Sequence, residues 1–135
     1  MQISAVIITY NEEENIERCI SSIEGIVKEI ILVDSFSSDK TVELAKSKGA
    51  IIFQNKFKGY SDQKNFGISK CSSNFILSLD ADECLSENLQ TSIKDFLKNN
   101  QADAYEMNRK NNYLGQWINY CGWYPDKKVR LFDKN

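Results

Sequence analysis

Phe75-Ile-Leu-Ser-Leu-Asp80-Ala-Asp82-Glu83 decides how the chain is read: an apolar run stops on two carboxylates one residue apart, and a third follows at once. A run rich in Phe, Ile and Leu is the pattern of a strand covered on both faces, and in open α/β sheets ligands bind beyond the carboxyl ends of such strands. Asp80 and Asp82 fall at that end. A chain leaving a strand need not alternate strictly, so carboxylates at i and i+2 can converge on one hard cation through oxygen ligands. Without a cation they repel each other. A single Asp after a strand more often turns the chain or caps the next helix, so the pair needs companions elsewhere.

The segments upstream supply them. Ile3 to Thr9 is apolar and β-branched, Tyr10-Asn11-Glu12 breaks it, and Ile16, Cys19, Ile20 and Ile23 recur at helical spacing until Gly25. Glu29 to Val33 is a second buried-strand run ending on Asp34, and Ser35 to Asp39 carry turn and N-cap chemistry for a helix with Val42, Leu44 and Ala45, closed by Gly49. Ala50 to Phe53 reads as a third strand, Lys56 to Tyr60 as a loop rich in charge, and Ser61 to Ile68 as a short helix weakened by Gly67. Downstream, Ser86 is a good N-cap for a helix carrying Leu89, Ile93, Phe96 and Leu97 on one face, fraying at Asn99-Asn100. Ala104 to Asn108 and Val129 to Phe132 read as further strands. Strand and helix alternate three times in the first two thirds, which implies right-handed crossovers and an α/β fold: a mostly parallel sheet with helices on both faces.

Composition narrows the chemistry. A chain of 135 residues fits one domain with a core that needs no disulfide staples. Seventeen basic and nineteen acidic residues leave a net charge of −2, so nothing draws the chain as a whole to nucleic acid. The four cysteines show no zinc-like spacing and there is no histidine, which excludes Ser-His and Cys-His nucleophilic machinery and leaves carboxylate, tyrosine or lysine as a base. No apolar span of about twenty residues occurs, and Met1-Gln2-Ile3 runs straight into a strand pattern with no signal-peptide character. The expected compartment is a reducing cytoplasm.

Parallel strands place Thr9-Tyr10-Asn11-Glu12, Asp34-Ser35 and Asp80-Ala-Asp82 on one edge. A ligand there would meet a carboxylate at Asp34 suited to a base-edge N–H or ribose hydroxyl, and a metal-binding pair suited to a diphosphate. That is the outline of a nucleotide site. Neither a Walker signature nor G-x-G-x-x-G occurs, so a metal would have to neutralise the phosphates in place of a glycine cradle. Thr9 and Asn11 serve equally well as turn and cap residues, and a lysine such as Lys64 on an amphipathic helix is more often a solvated face residue.

Val6-Ile-Ile-Thr-Tyr-Asn-Glu-Glu-Glu-Asn15, Glu29-Ile-Ile-Leu-Val-Asp-Ser-Phe-Ser-Ser-Asp-Lys-Thr41, Lys64-Asn65-Phe-Gly67 and Leu79-Asp-Ala-Asp-Glu83, in that order, resemble the glycosyltransferase family 2 catalytic domain. Gly122-Trp-Tyr-Pro-Asp126 and Arg130-Leu-Phe132 look more narrowly like the bacterial lipopolysaccharide-core β-glucosyltransferases of that family. The resemblance covers essentially the whole chain as one domain. It implies the GT-A fold, a nucleotide-sugar donor, usually a UDP-sugar, a saccharide or lipid-linked glycan acceptor, and a divalent cation, Mg²⁺ or Mn²⁺. By resemblance Thr9, Asn11 and Glu12 lie beside the nucleoside, Asp34 on uracil or ribose, and Lys64 near the base or diphosphate. Asp82 is expected to ligate the metal directly, and Asp80 to meet ribose or a metal-bound water.

The resemblance further implies an inverting transfer in which a carboxylate base deprotonates the acceptor hydroxyl. Members of this subgroup continue well past this length, so the acceptor-side part and the base, a Glu in a His-Glu pair, are expected beyond Asn135. Within the chain Asp126 is the candidate base, although Tyr-Pro-Asp is also ordinary turn chemistry. Tyr113, Trp117, Tyr120, Trp123 and Tyr124 would stack on acceptor sugars or cover the sheet. Lys127, Lys128 and Arg130 form either a solvated face or a cluster for a phosphorylated lipid-linked acceptor at the inner face of the cytoplasmic membrane. Three alternatives stand beside the transferase. A sugar nucleotidyltransferase would want a glycine-rich loop where Tyr10-Asn-Glu-Glu stands, and a haloacid dehalogenase phosphohydrolase would carry its D-x-D after the first strand. A donor-binding module would have its transfer chemistry elsewhere.

Overall fold

The computed structural model describes residues 1–99 in full, the backbone of 104–109, 111–113, 116–118 and 126–129, and residues 130–135 in full. Every residue of β1 (Ile3–Thr9) is buried, as an uninterrupted β-branched run requires of a strand covered on both faces. The chain then forms α1 (Ile16–Ser21), β2 (Glu29–Asp34), α2 (Thr41–Ser47), β3 (Ile51–Gln54), α3 (Tyr60–Ser69), β4 (Phe75–Asp80) and α4 (Glu87–Lys98). Beyond α4 come β5 (Ala104–Arg109), β6 (Asn111–Tyr113), β7 (Gln116–Ile118) and β8 (Asp126–Asp133).

Six strands make one sheet in the order β3-β2-β1-β4-β8-β5, and β6 pairs with β7 apart from it. The first four are parallel, whereas β8 lies antiparallel between β4 and β5. One face of the sheet buries Ile3, Ala5, Ile7, Leu32 and Leu77 against Ile16, Cys19 and Ile20 of α1, Ala45 of α2, and Ile93 and Phe96 of α4. The other buries Val6, Ile8, Ile31, Val33 and Ile76 against Phe66 and Ile68 of α3 and Cys71 just beyond it. Helices thus cover both faces, and each fully buried Ile or Leu in these layers contributes about 1.5–3 kcal/mol relative to exposure.

Three local expectations are corrected. The helical run toward Gly25 stops at Ser21, because Ile23, Glu24 and Ile26 donate three residues back, tightening the chain into turns. The tyrosine at the end of the charged loop, Tyr60, is the first residue of α3. Gly67 does more than weaken α3: a Cβ there would stand 2.5 Å from Val6 Cγ1 and 3.0 Å from Val33 Cγ2. The missing side chain lets the helix lie against β1 and β2.

Candidate functional site

Register brings the strand ends together. Thr9 pairs with Asp34 and Ile8 with Asp80, so β1, β2 and β4 finish on one edge of the sheet. A cavity of about 480 Å³ opens there, lined by Thr9, Tyr10 and Glu12 beyond β1, Ser35 beyond β2, and Asp80, Ala81 and Asp82 beyond β4. Its remaining wall is Ile8, Phe57, Tyr60 and Gln63. Phe57 and Tyr60 are exposed and meet edge to face with centroids 5.2 Å apart, so the loop before α3 presents rings as well as charge.

On the β1–β2 side the two turns are laced together. Asn11 takes a left-handed backbone, φ 49°, and its amide donates to Ser37 Oγ (2.8 Å) while its Oδ1 accepts from the Ser38 amide (2.8 Å). The Glu12 amide donates to Thr41 Oγ1 (2.8 Å), the Glu13 amide to Asp39 Oδ2 (3.2 Å), and the Lys40 amide to Glu13 Oε2 (3.0 Å). Asp39 Oδ1 accepts from the Thr41 amide and hydroxyl, but the N-cap position of α2 falls on Lys40, outside the Ser35–Asp39 stretch expected to supply it, and carries no side-chain cap. Asp34 is fully buried and accepts from the Ser37 amide (3.0 Å), the Ser37 hydroxyl (2.5 Å) and Gln54 Nε2 (3.4 Å). Gln63, almost wholly buried in α3, donates to Ser35 Oγ (3.0 Å) and to the Asn55 carbonyl, and accepts from Asn55 Nδ2.

The β4 side is held by charge. Lys64 Nζ stands 3.7 Å from Asp80 Oδ1, and Arg130 Nη2 stands 3.9 Å from Asp80 Oδ2 and 3.1 Å from Glu83 Oε2. The other Glu83 oxygen accepts from the Asp80 amide at 2.8 Å, closing the Asp80–Glu83 turn. Burial pushes the Glu83 carboxyl up; the Asp80 amide and Arg130 pull it down, and Asp80 and Asp82 push it up again. Behind the turn Cys19 Sγ donates to the Asp80 carbonyl at 3.7 Å, and burial first, then the neighbouring acids, pushes this thiol up to about 12. Cys71 is likewise buried and its thiol is pushed up to about 11, mainly by burial, whereas Cys84 is exposed.

Two buried oxygens on the cavity, Thr9 Oγ1 and Asp80 Oδ1, have no hydrogen-bond partner. Asp82 is exposed on the same cavity. No group of three metal-ligating side chains stands ready among the described residues. Magnesium-like cations keep several waters and take one or two carboxylates together with substrate phosphate oxygens, so this donor set fits such an ion.

Of the residues expected from sequence, Thr9, Glu12, Asp80 and Asp82 line the cavity, and Lys64 joins them through Asp80. Asn11 and Asp34 lie just behind, bonded into the β1–β2 turns. The side chains of Tyr113, Trp117, Asp126, Lys127 and Lys128, and all of Tyr120, Trp123 and Tyr124, lie outside the described residues. Arg130 is corrected: it is 7% exposed beneath the Asp80–Glu83 turn, not part of a solvated basic face. Phe57, Tyr60, Gln63 and Arg130 were not singled out for this site by sequence. Two of them left a signal: Gln63 stands one residue before the Lys64-Asn65-Phe-Gly67 motif, and Arg130 opens the Arg130-Leu-Phe132 motif.

Among curated proteins, the chain is 38% identical over 136 residues to an uncharacterized glycosyltransferase of Rickettsia typhi, covering 98% of this chain and 47% of the relative. It is 35% identical over 102 residues to the lipopolysaccharide core biosynthesis glycosyltransferase LpsC of Rhizobium meliloti, covering 72% of this chain and 37% of LpsC. The chain therefore spans less than half the length of these relatives. Among solved structures it resembles glucosyl-3-phosphoglycerate synthase from Mycobacterium tuberculosis in complex with Mn²⁺, uridine diphosphate and glucosyl-3-phosphoglycerate. The TM-score is 0.53 at 27% identity, over 59% of this chain and 33% of that one. The α/β architecture is the GT-A fold. The model of glycosyl transferase family 2 matches residues 4–126, and the chain belongs to that family.

Proposed function

We propose that the cavity binds the nucleotide-sugar donor, a UDP-sugar, of an inverting glycosyltransferase that acts on a lipopolysaccharide-core or related glycan acceptor, with glucose as the sugar. The observation that carries the reading is the meeting of Asp80 and Asp82 with Thr9, Tyr10, Glu12 and Ser35 on one cavity. Its volume suits a ligand of nucleotide-sugar size. The likeness to LpsC favours the acceptor class, and the solved relative with uridine diphosphate and Mn²⁺ favours the donor and the cation.

Asp82, exposed, and Asp80, with an open buried oxygen, would hold a divalent cation, Mg²⁺ or Mn²⁺. When bound, that ion neutralises the negative charge of the departing diphosphate. The chain's own groups do the rest. Thr9 Oγ1, buried without a partner, and the Ser35 hydroxyl, fixed by Gln63, offer hydrogen bonds to the nucleoside end. The rings of Tyr10, Phe57 and Tyr60 offer it apolar faces. Lys64, beside Asp80, places a cation near the diphosphate. In the transfer the acceptor oxygen bonds to the anomeric carbon, the bond from that carbon to the diphosphate oxygen breaks, and the acceptor proton passes to a carboxylate base. Asp126, whose backbone opens β8, is the candidate for that base within this chain. No helix among the described residues is long and apolar enough to cross a membrane.

Thermal unfolding tests the reading. Uridine diphosphate should raise the melting temperature only with Mn²⁺ or Mg²⁺ present, and Asp82→Ala should abolish the shift. The absence of a shift with any nucleotide and metal sinks the proposal. Uridine diphosphate released from the glucose donor would show turnover; binding without release would assign this chain donor binding alone.

A further inference from the structure

Arg130 is the charged group that the family motifs around Asp80 do not explain. It stands on β8, one residue past the Leu77–Leu131 ladder pair, on the side of the sheet edge that carries Asp80. Its guanidinium is buried, 3.1 Å from Glu83 Oε2 and 3.9 Å from Asp80 Oδ2, while Glu83 Oε1 takes the Asp80 amide. These contacts close a loop: Arg130 holds Glu83, Glu83 holds the Asp80 backbone, and Arg130 flanks the Asp80 carboxylate. Lys64 flanks the same carboxylate at 3.7 Å from the opposite oxygen. Among the described residues the turn therefore sets three carboxylates, Asp80, Asp82 and Glu83, against two cations, Lys64 and Arg130, leaving one negative charge.

Taking the cavity as the donor site proposed above, we infer that Arg130 is a positioning residue for the Asp80–Asp82 pair, and that its charge makes the site take up a divalent cation together with a nucleoside diphosphate rather than ahead of it. A buried guanidinium beside Asp80 repels a free cation and attracts a diphosphate, so one charge acts on the two ligands with opposite sign. Its Nη2, hydrogen-bonded to Glu83 and beside Asp80 Oδ2, also fixes the direction in which the Asp80 carboxylate faces the cavity. A residue needed only for folding would weaken both ligands alike.

The test is calorimetric titration of the full chain with MnCl₂ alone, and with uridine diphosphate at saturating Mn²⁺. Arg130→Met should bind Mn²⁺ alone about tenfold more tightly, because a nearby unit charge opposing the ion is gone. The same variant should bind uridine diphosphate about tenfold more weakly, because Asp80 has lost its support. Arg130→Lys keeps the charge and should hold Mn²⁺ alone within about twofold of the parent. Removing Arg130 strands a buried carboxylate, so the neutral pair Arg130→Met with Glu83→Gln provides a variant whose fold is spared. Its net charge at the turn equals the parent's, and it should bind Mn²⁺ alone as the parent does yet still bind the nucleotide about tenfold more weakly. Equal weakening of both ligands in Arg130→Met, or a change in neither, overturns the inference while leaving the donor site intact. A parent chain that binds neither ligand overturns it together with the donor-site reading.

Discussion

The two halves of the cavity rim are built on different principles. The turns after β1 and β2 are tied by short hydrogen bonds between side chains and amides, and Asp34, Asp39 and Thr41 are each occupied by protein partners. The turn after β4 gathers three carboxylates, leaves one Asp80 oxygen without a hydrogen bond, and is held by Arg130 and Lys64. Apart from Thr9 Oγ1 at the end of β1, the first two turns are saturated and form a wall fixed before any ligand arrives. A turn with an open acceptor and one uncompensated negative charge is arranged to change partners.

If that contrast holds, damage to the wall should appear as lost stability and damage to the β4 turn as lost binding. The largest stability effect is expected at Asp34→Ala, which empties a buried position and leaves the half-buried Ser37 amide and hydroxyl without their acceptor. Urea unfolding should show a loss of about 3 kcal/mol. Thr41→Val removes the acceptor of the Glu12 amide and the donor to Asp39, and should lose about 1–2 kcal/mol by the same measurement. Asp82→Ala, on the exposed side of the β4 turn, should leave the ligand-free chain within about 0.5 kcal/mol of the parent while removing the metal-dependent nucleotide shift. A loss there as large as at Asp34 would erase the distinction.

The smallest effect is one of pH. Desolvation pushes the Asp39 carboxyl up, but hydrogen bonds from Thr41 and the Glu13 amide outweigh it and bring it below its ordinary value of 3.8. The folded form thus holds this proton less tightly than the unfolded form. Its contribution is present above that ordinary value and is lost as pH falls through the lowered one. Asp39→Asn should therefore flatten the acid limb of a plot of urea midpoint against pH, and leave its slope near neutrality unchanged.

How much of this was legible in the sequence follows from the range of the interactions. β1, β2 and β4 were readable because burial on both faces demands runs of Ile, Val and Leu, a local signature, whereas β3 is a half-exposed edge strand marked only by its short Ile-Ile-Phe run. The convergence of Thr9, Asp34 and Asp80 followed from parallel topology alone. Arg130 was not readable as part of the site, since its value depends on β8 inserting antiparallel beside β4, and Glu83 lies 47 residues away in the chain. In sequence it sits near two lysines and looks like surface. Gly67 misled for a related reason: helix propensity counts it as a weakness, and only the packing of α3 on Val6 and Val33 reveals why it has no side chain. Phe57 and Tyr60 were hidden among lysines, in a stretch whose charge drew the reading away from its rings.

The cysteines of the chain allow the site to become its own reporter. Cys19 and Cys71 are buried thiols held far from the thiolate form, whereas Cys84 is exposed two residues after Asp82. Alkylating reagents act on accessible thiolate, so among these three they select Cys84. With Cys121 replaced by serine, a fluorophore on Cys84 would sit beside the turn that changes partners, and its emission would follow occupancy of the cavity without any need for turnover.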